Sequence, residues 1–422
     1  MAEKMLTGSV CNQPAATQAD ETSSQLVRQP IFDAAGHLYA YELFLHPGGA
    51  PSAVEAEAEN LPVVFDRILV HGLEKLCAGM PALIRASEQG FAEALLALLP
   101  PEETILGITD PMASQPSMPQ EVRRLRQMGY KLALCSWQTA DPLPTLLPLF
   151  DYLKLPVDAS EADRWKLLQK QADEAEVALV AEAIDAQESF RVAREFGCKY
   201  FQGFYFCHPD PVPKSSLAGN KLMHVQLLQL LRTDPLDLKK IAPLVRRDAG
   251  LLYRLLKLVN SPLCAIRQEV TSIELAILAL GENTFRRMAM LAVLGEINDG
   301  QPAELIHMTL IRARFCEIAS KSNGLDAEEQ YLLGIFSLLP AMLRRPIEEL
   351  AAELPLRKEI REALLGHEVA ERALLCWIEA HEHNEALRKN AIASRFGLNS
   401  QRLEQFYVDA LLWESVAAAS FR

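Results

Sequence analysis

Several features that would narrow the chemistry at once are missing from this sequence. None of its eight cysteines, Cys11, Cys77, Cys135, Cys198, Cys207, Cys264, Cys316 and Cys376, stands in a Cys-x-x-Cys pair. That spacing builds zinc ribbons and thioredoxin-like sites, so neither is expected. Most of these thiols lie among apolar neighbours, where free Cys acts as a small hydrophobe, and this suits a reducing cytoplasm. No apolar run approaches the roughly 18 residues of a membrane span. The start, Met-Ala-Glu-Lys and then a polar stretch to about Ser24, has no apolar core of a signal peptide. Residues 1–22 are expected to be a tail. Basic residues are in deficit: 42 Lys and Arg face 55 Asp and Glu, for a net charge of −13. Nucleic-acid binding draws on Lys and Arg against phosphate, so nucleic acid is not an expected partner. Neither is a membrane.

What is present divides into two halves. The chain has 422 residues, half of them hydrophobic, enough for two cored domains. From Gln25 to Phe206 short apolar runs alternate with amphipathic stretches. The strand candidates are Leu26–Phe32, Leu38–Leu45, Ala82–Ala86, Thr104–Ile108, Lys131–Ser136, Tyr152–Leu155, Val177–Ile184 and Tyr200–Phe204. Alternating strands and helices predict βα units in a mainly parallel sheet, and eight of them predict a TIM-like (β/α) barrel over 23–207. Asp33-Ala34-Ala35-Gly36-His37 is too short for a crossover, so one of the first two strands should run antiparallel. Residues 208–220, rich in Pro, Ser and Gly, read as a linker. From 221 to 422 the apolar residues recur at helical spacing, which predicts an all-α domain of about ten or more helices. The fold class is therefore α/β plus all-α.

Function in a barrel collects at the C-terminal ends of its strands. Those positions hold Glu42, Arg85, Gly107, Cys135 with Ser136, Pro156, Glu182 with Asp185 beyond it, and Gln202; Lys154 lies just inside. Cys135 as a nucleophile would need a base and an oxyanion hole, and no His can be set beside it from sequence. Arg85 is expected to pair with Glu42 or Glu182, because two facing carboxylates need a cation.

The segments "RQPIFDAAGHLYAYELFLH" (28–46), "GYKLALCSWQ" (129–138), "DYLKL" (151–155), "ALVAEAID" (178–185) and "FQGFYF" (201–206) make the first half resemble the EAL family of cyclic di-GMP phosphodiesterases. That resemblance implies hydrolysis by metal-bound water held in a carboxylate and amide cluster. It also implies that Glu42, Lys154, Glu182 and Gln202 are retained site residues. The other positions depart from the family. His46 stands for an Arg, Arg85 for a metal-binding Asn, Gly107 for a Glu, Cys135-Ser136 for Asp-Asp, Pro156 for an Asp and Asp185 for a Glu. Mg²⁺ is accordingly not expected to bind, no cofactor is expected, and the phosphodiesterase activity is expected to be lost.

In the second half "LLKLVNSP" (255–262), "TSIELAILALG" (271–281) and "LLGIFSLLPAML" (332–343) resemble an HDOD domain, a relative of the metal-dependent HD hydrolases without their ligands. Ser337 and Leu338 lie where an HD enzyme would carry adjacent His and Asp, and no His-Asp dipeptide occurs in the chain. Asn260-Ser261-Pro262 is expected to end a helix, with Asn in a left-handed cap. "HEVAE" (367–371) and "HEHNE" (381–385) lack the second His of a zinc helix and read as exposed, with His381 and His383 on different faces. "VRRD", "FRRM" and "LRRP" read as solvated basic faces.

These readings converge on a cytoplasmic, non-catalytic bacterial signalling protein that works by binding another protein in control of motility or biofilm. The barrel is expected to offer a homodimer surface. The alternative is a metal-independent cyclic di-GMP receptor that holds the nucleotide weakly through Glu42, Lys154, Glu182 and Gln202. A residual phosphodiesterase is the third reading.

Overall fold

A tight turn decides how the barrel closes. In the computed structural model, which describes residues 24–418 apart from 48–67, 69, 86–95, 97–98, 138–146, 158–161, 208–218, 233–234, 267, 299–300 and 355, strand β1 (Ser24–Asp33) returns directly as β2 (Leu38–Pro47). The Asp33 carboxylate accepts the backbone N–H of both Ala35 and His37 at 2.9 Å, and Gly36 takes the positive φ of 84° that the turn needs. The expected antiparallel strand is thus β1, which pairs antiparallel with β2 on one side and β8 on the other. Strands β3 (Ala82–Arg85), β4 (Thr104–Thr109), β5 (Lys131–Cys135), β6 (Tyr152–Pro156), β7 (Ala178–Glu182) and β8 (Tyr200–Gln202) follow in order and run parallel to β2. The result is a closed eight-stranded barrel. All eight expected strands are present. Helices Met118–Gln127, Ala162–Glu174 and Gln187–Glu195 flank them. The expected tail, and residues 208–218 of the expected linker, lie outside the described residues.

Alternation along the strands sends side chains to two separate cores. Ile31, Ala40, Leu83, Ile105, Ala133 and Val180 fill the barrel interior. The outward-facing set, including Phe32, Tyr41, Leu43 and Leu106, joins a second apolar cluster that runs without interruption into the helical half through Leu305, Phe315, Trp377 and Leu411. The two halves share one hydrophobic core. Leu26, Arg28 and Tyr41 of the barrel contact helices Glu304–Ser320, Ala373–Glu382 and Ser400–Ala418.

The helical half contains thirteen α-helices among the described residues, in line with the helical spacing. The first, Gly219–Leu230, starts inside the stretch expected as linker. Helices Glu304–Ser320 and Ala327–Ser337 approach so closely at Gly334 that a Cβ there would lie 2.5 Å from the Ala313 Cα. Three expectations need correction. Asn260 ends its helix at φ −84°, not in a left-handed cap; its side-chain amide instead fastens Val270, accepting its N–H and donating to its carbonyl, both at 2.8 Å. His381 is not an exposed helix residue: it is buried, and its Nε2 donates to the Leu26 carbonyl of β1 at 3.0 Å. The "FRRM" cluster is not a free basic face, because Arg287 pairs with Glu317 at 2.5 Å and also holds Glu328. In each case a partner distant in sequence supplied what local pattern could not show. His381 and His383 do point to different faces, the latter bonding the Glu379 carbonyl of its own helix.

Candidate functional site

Because β1 runs opposite to the others, its early residues meet the C-terminal ends of β2–β8 at one mouth. There Glu42 of β2, Arg85 of β3, Lys154 of β6, Glu182 of β7 and Gln202 of β8 converge. Arg85 Nε donates to Glu42 Oε1 at 2.6 Å, and its Nη2 donates to Glu182 Oε1 at 3.3 Å. Lys154 Nζ lies 3.1 Å from Glu42 Oε2 and also bonds Glu182. Gln202 Nε2 donates to Glu42 Oε2 at 2.5 Å and to Gln29 Oε1 at 3.0 Å. Arg85 was expected to pair with one glutamate or the other; it bridges both. Two carboxylates and two cations make the group neutral.

Burial works against each charge here, and the pairing overcomes it. Desolvation opposes the Glu42 carboxylate, but Arg85 and Lys154 hold it at about 2, far below its ordinary 4.5. Lys154, fully buried, is likewise held above its usual range by Glu182 and Glu42 despite desolvation. A depressed carboxyl stabilises the fold above its unfolded value and loses that contribution as pH falls. The drop from 4.5 to about 2 corresponds to about 3 kcal/mol. Denaturation midpoints should therefore fall steeply between pH 4.5 and pH 2, and Glu42→Gln should flatten that fall. An equally steep fall in the variant would assign the acid sensitivity elsewhere.

Gly107 makes room for Arg85. A Cβ on Gly107 would lie 3.2 Å from both Arg85 Cγ and Cys135 Sγ, so a larger residue at β4 would crowd the guanidinium. Cys135 is wholly buried against this corner, and burial pushes its thiol up to about 12. At neutral pH it is held as the thiol, a weaker nucleophile than the thiolate. Ser136 takes a left-handed backbone at φ 56°, its N–H donating to the Lys154 carbonyl at 2.9 Å. Pro156 is exposed beside Glu182. Asp185 is drawn into structure: its Oδ1 accepts the Phe204 N–H at 2.9 Å. Between them Gly203, at φ 142°, passes so near β7 that a Cβ would lie 2.3 Å from the Ile184 carbonyl oxygen. His46 lies on β2 opposite Gln25, but its side chain is outside the described residues.

Gln29 is the member of the site that sequence reasoning missed. It stands opposite Glu42 only because the hairpin register shifts between Ile31 and Phe32, which counting back from the turn would not reveal.

Residues 82–209 match the EAL domain family, and residues 221–343 match the HDOD domain family. The chain joins an EAL domain to an HDOD domain. Strands β1 and β2, with Glu42, precede the matched part of the EAL domain although they close its barrel. Over nearly its whole length the chain is similar to uncharacterized protein YuxH of Bacillus subtilis, at 27% identity over 92% of this chain and 97% of that one. It is also similar to the cyclic di-GMP phosphodiesterase CdgJ of Vibrio cholerae, at 26% identity over 93% of this chain and 92% of that one. Among solved structures it is similar to the EAL domain of Mycobacterium smegmatis DcpA, at 18% identity and a TM-score of 0.35, over 43% of this chain and 91% of that one.

An EAL domain raises the question of a metal pair, and the donor set in this mouth does not fit one. Its two carboxylates each already hold Arg85 and Lys154, and the Gln202 amide donates its N–H inward. Gly107, Cys135, Ser136 and Pro156 offer no anionic oxygen. Among the described residues no group of three or more His, Cys, Asp or Glu side chains is placed to hold a metal ion.

Proposed function

We propose that this protein is a non-catalytic member of cyclic di-GMP signalling that acts by binding another protein. The observation that carries the reading is the neutral Glu42–Arg85–Glu182–Lys154 group, in which a guanidinium bridges the two glutamates. A cation supplied by the chain removes both the need for Mg²⁺ and the electrostatic room for it. Large apolar side chains on the HDOD surface support a protein partner. Tyr253 and Leu278 are 69% and 83% exposed, on helices Ala249–Val259 and Ile273–Leu280. The seven cysteines of the described residues are free thiols, which supports a cytoplasmic site of action. No helix among the described residues is long and apolar enough to cross a membrane. Motility or biofilm is the output this reading assigns.

Calorimetry with cyclic di-GMP, with and without Mg²⁺, tests it. Neither heat of binding nor turnover is expected. Binding without turnover would replace the reading with a metal-independent receptor. Mg²⁺-dependent hydrolysis would overturn the argument from the mouth altogether.

A further inference from the structure

A cavity of about 700 Å³ opens where the EAL barrel meets the HDOD domain. That size lies within the roughly 300–1,000 Å³ of small-molecule sites. Phe204 and Cys207, just beyond β8, form one wall, and HDOD-side helices form the rest. Ser337 and Leu338, where an HD hydrolase would carry its metal ligands, lie in the lining. The mouth is a separate site, built on other residues.

The lining reverses the charge of the chain. Five arginines, Arg312, Arg344, Arg345, Arg372 and Arg388, face two glutamates, Glu379 and Glu385, in a protein whose net charge is −13. Four of the five have carboxylate partners. Arg312 holds Glu382 at 2.6 Å, Arg345 holds Glu349 at 3.0 Å, Arg372 lies 3.4 Å from Glu379 and Arg388 lies 2.7 Å from Glu385. Arg344 has none. Its side chain makes no ion pair or hydrogen bond among the described residues, and its backbone sits at φ 52°, where a non-glycine residue is strained. That conformation caps helix Leu339–Leu343, the Arg344 N–H donating to the Pro340 carbonyl, and leaves the guanidinium without a partner among the described residues. The "LRRP" cluster is therefore part of a concave site and not a plain solvated face.

Much of the remaining lining is apolar. Met308, Leu338, Pro340, Ile347 and Leu375 contribute, and the Phe204 ring lies 4.5 Å from His383. Guanidinium groups in a cavity shared with apolar side chains suit an anionic head on an apolar body, since Arg presents a planar fork of donors to phosphate or carboxylate.

We propose that this cavity binds a small organic anion, with an apolar body against the Phe204 side and a phosphate or carboxylate head on Arg344. This goes beyond the reading of the mouth and does not depend on it. The site touches both domains: Phe204 follows the mouth residue Gln202 by two positions, and Gln29 Nε2 donates to the carbonyl of Glu382, the residue that holds Arg312.

The test uses the full chain with phenyl phosphate, benzoate, inorganic phosphate and phenol, read by titration calorimetry and thermal shift. Phenyl phosphate or benzoate should bind and raise the melting temperature, and whichever binds more tightly identifies the head group. Inorganic phosphate and phenol should each bind at least about tenfold more weakly, because each lacks half of the recognition. Arg344→Gly removes the guanidinium at a position whose backbone glycine prefers, so it should fold normally and weaken binding about tenfold or more. Arg388→Gln, at an exposed rim position, should weaken binding less. Equal shifts from phenol and phenyl phosphate would overturn the proposal. So would equal binding of inorganic phosphate, or unchanged affinity in Arg344→Gly. Cyclic di-GMP binding that survives in an Arg85 variant but is lost in Arg344→Gly would belong to this cavity and not to the mouth.

Discussion

Replacing Arg85 by alanine should cost this protein about 3 kcal/mol of stability, read as a lower denaturant midpoint. The variant leaves Glu42, 1% exposed, and Glu182 facing each other with Lys154 alone between them. Removing one member of a buried ion pair commonly costs about 3–5 kcal/mol, and the lower figure applies because the Arg85 side chain is 17% exposed. The effect should be strongly coupled to Glu182. In Arg85→Ala with Glu182→Gln, Lys154 balances Glu42 by itself, so the double variant should recover much of the loss. A simple sum of the two single effects would show that Arg85 is a rim residue without an electrostatic role. An unchanged midpoint in Arg85→Ala would show the same. The outcome bears directly on the mouth, where the Arg85 guanidinium holds the two glutamates together.

Arg28→Ala should weaken the junction between the domains by a similar amount, about 3–5 kcal/mol. Arg28 projects outward from β1 into the shared core and is fully buried there. Its Nη1 donates to the Leu76 carbonyl at 3.1 Å and lies 3.7 Å from Glu414, its Nη2 lies 4.0 Å from Glu304, and its guanidinium sits 4.1 Å above the Tyr41 ring. The Tyr41 hydroxyl donates to Glu304, and His307 pairs with Glu414. Without Arg28, two buried carboxylates from the HDOD side would keep, of these groups, only His307 as a cation. Burial opposes the His307 charge, but Glu414 and Glu304 hold its pKa above the ordinary 6.5. A raised histidine contributes fully below its unfolded value, and that contribution is lost as pH rises through its folded value. Arg28→Ala should therefore become still less stable above about pH 6.5, and more steeply than the unaltered protein, because Arg28 opposes the His307 charge. Denaturant midpoints at pH 6 and pH 8 check this. A cost that does not depend on pH would mean that Arg28 acts through packing on Tyr41 and not through the charges.

The legibility of this chain followed the range of the interactions. Alternation of apolar residues is local, so eight strands and the helical second half could be read directly. The antiparallel β1 followed from a connection too short to cross the barrel. Charge conservation in a low-dielectric site is also nearly local in its logic. Glu42 and Glu182, at the ends of β2 and β7 around one mouth, required a cation, and Arg85 was a residue within reach. Gln29 was lost because a one-residue register shift moved it opposite Glu42, and no pattern in the hairpin announces such a shift. The three misread helical features share another cause. His381, Asn260 and Arg287 have polar groups whose partners are Leu26, Val270 and Glu317, and only folding chooses among such partners.

The sequence by itself thus determined the two-domain order, the barrel and the need for Arg85 to pair. Those follow from side-chain period, chain length and the cost of uncompensated charge. Only the tertiary structure decided that Arg85 bridges both glutamates, that the two domains share one core sealed by Arg28 and His381, and that five arginines scattered over 77 positions, from Arg312 to Arg388, line one cavity. Contacts of that kind are set by how helices and strands distant in sequence pack, and residue spacing along the chain carries no record of it.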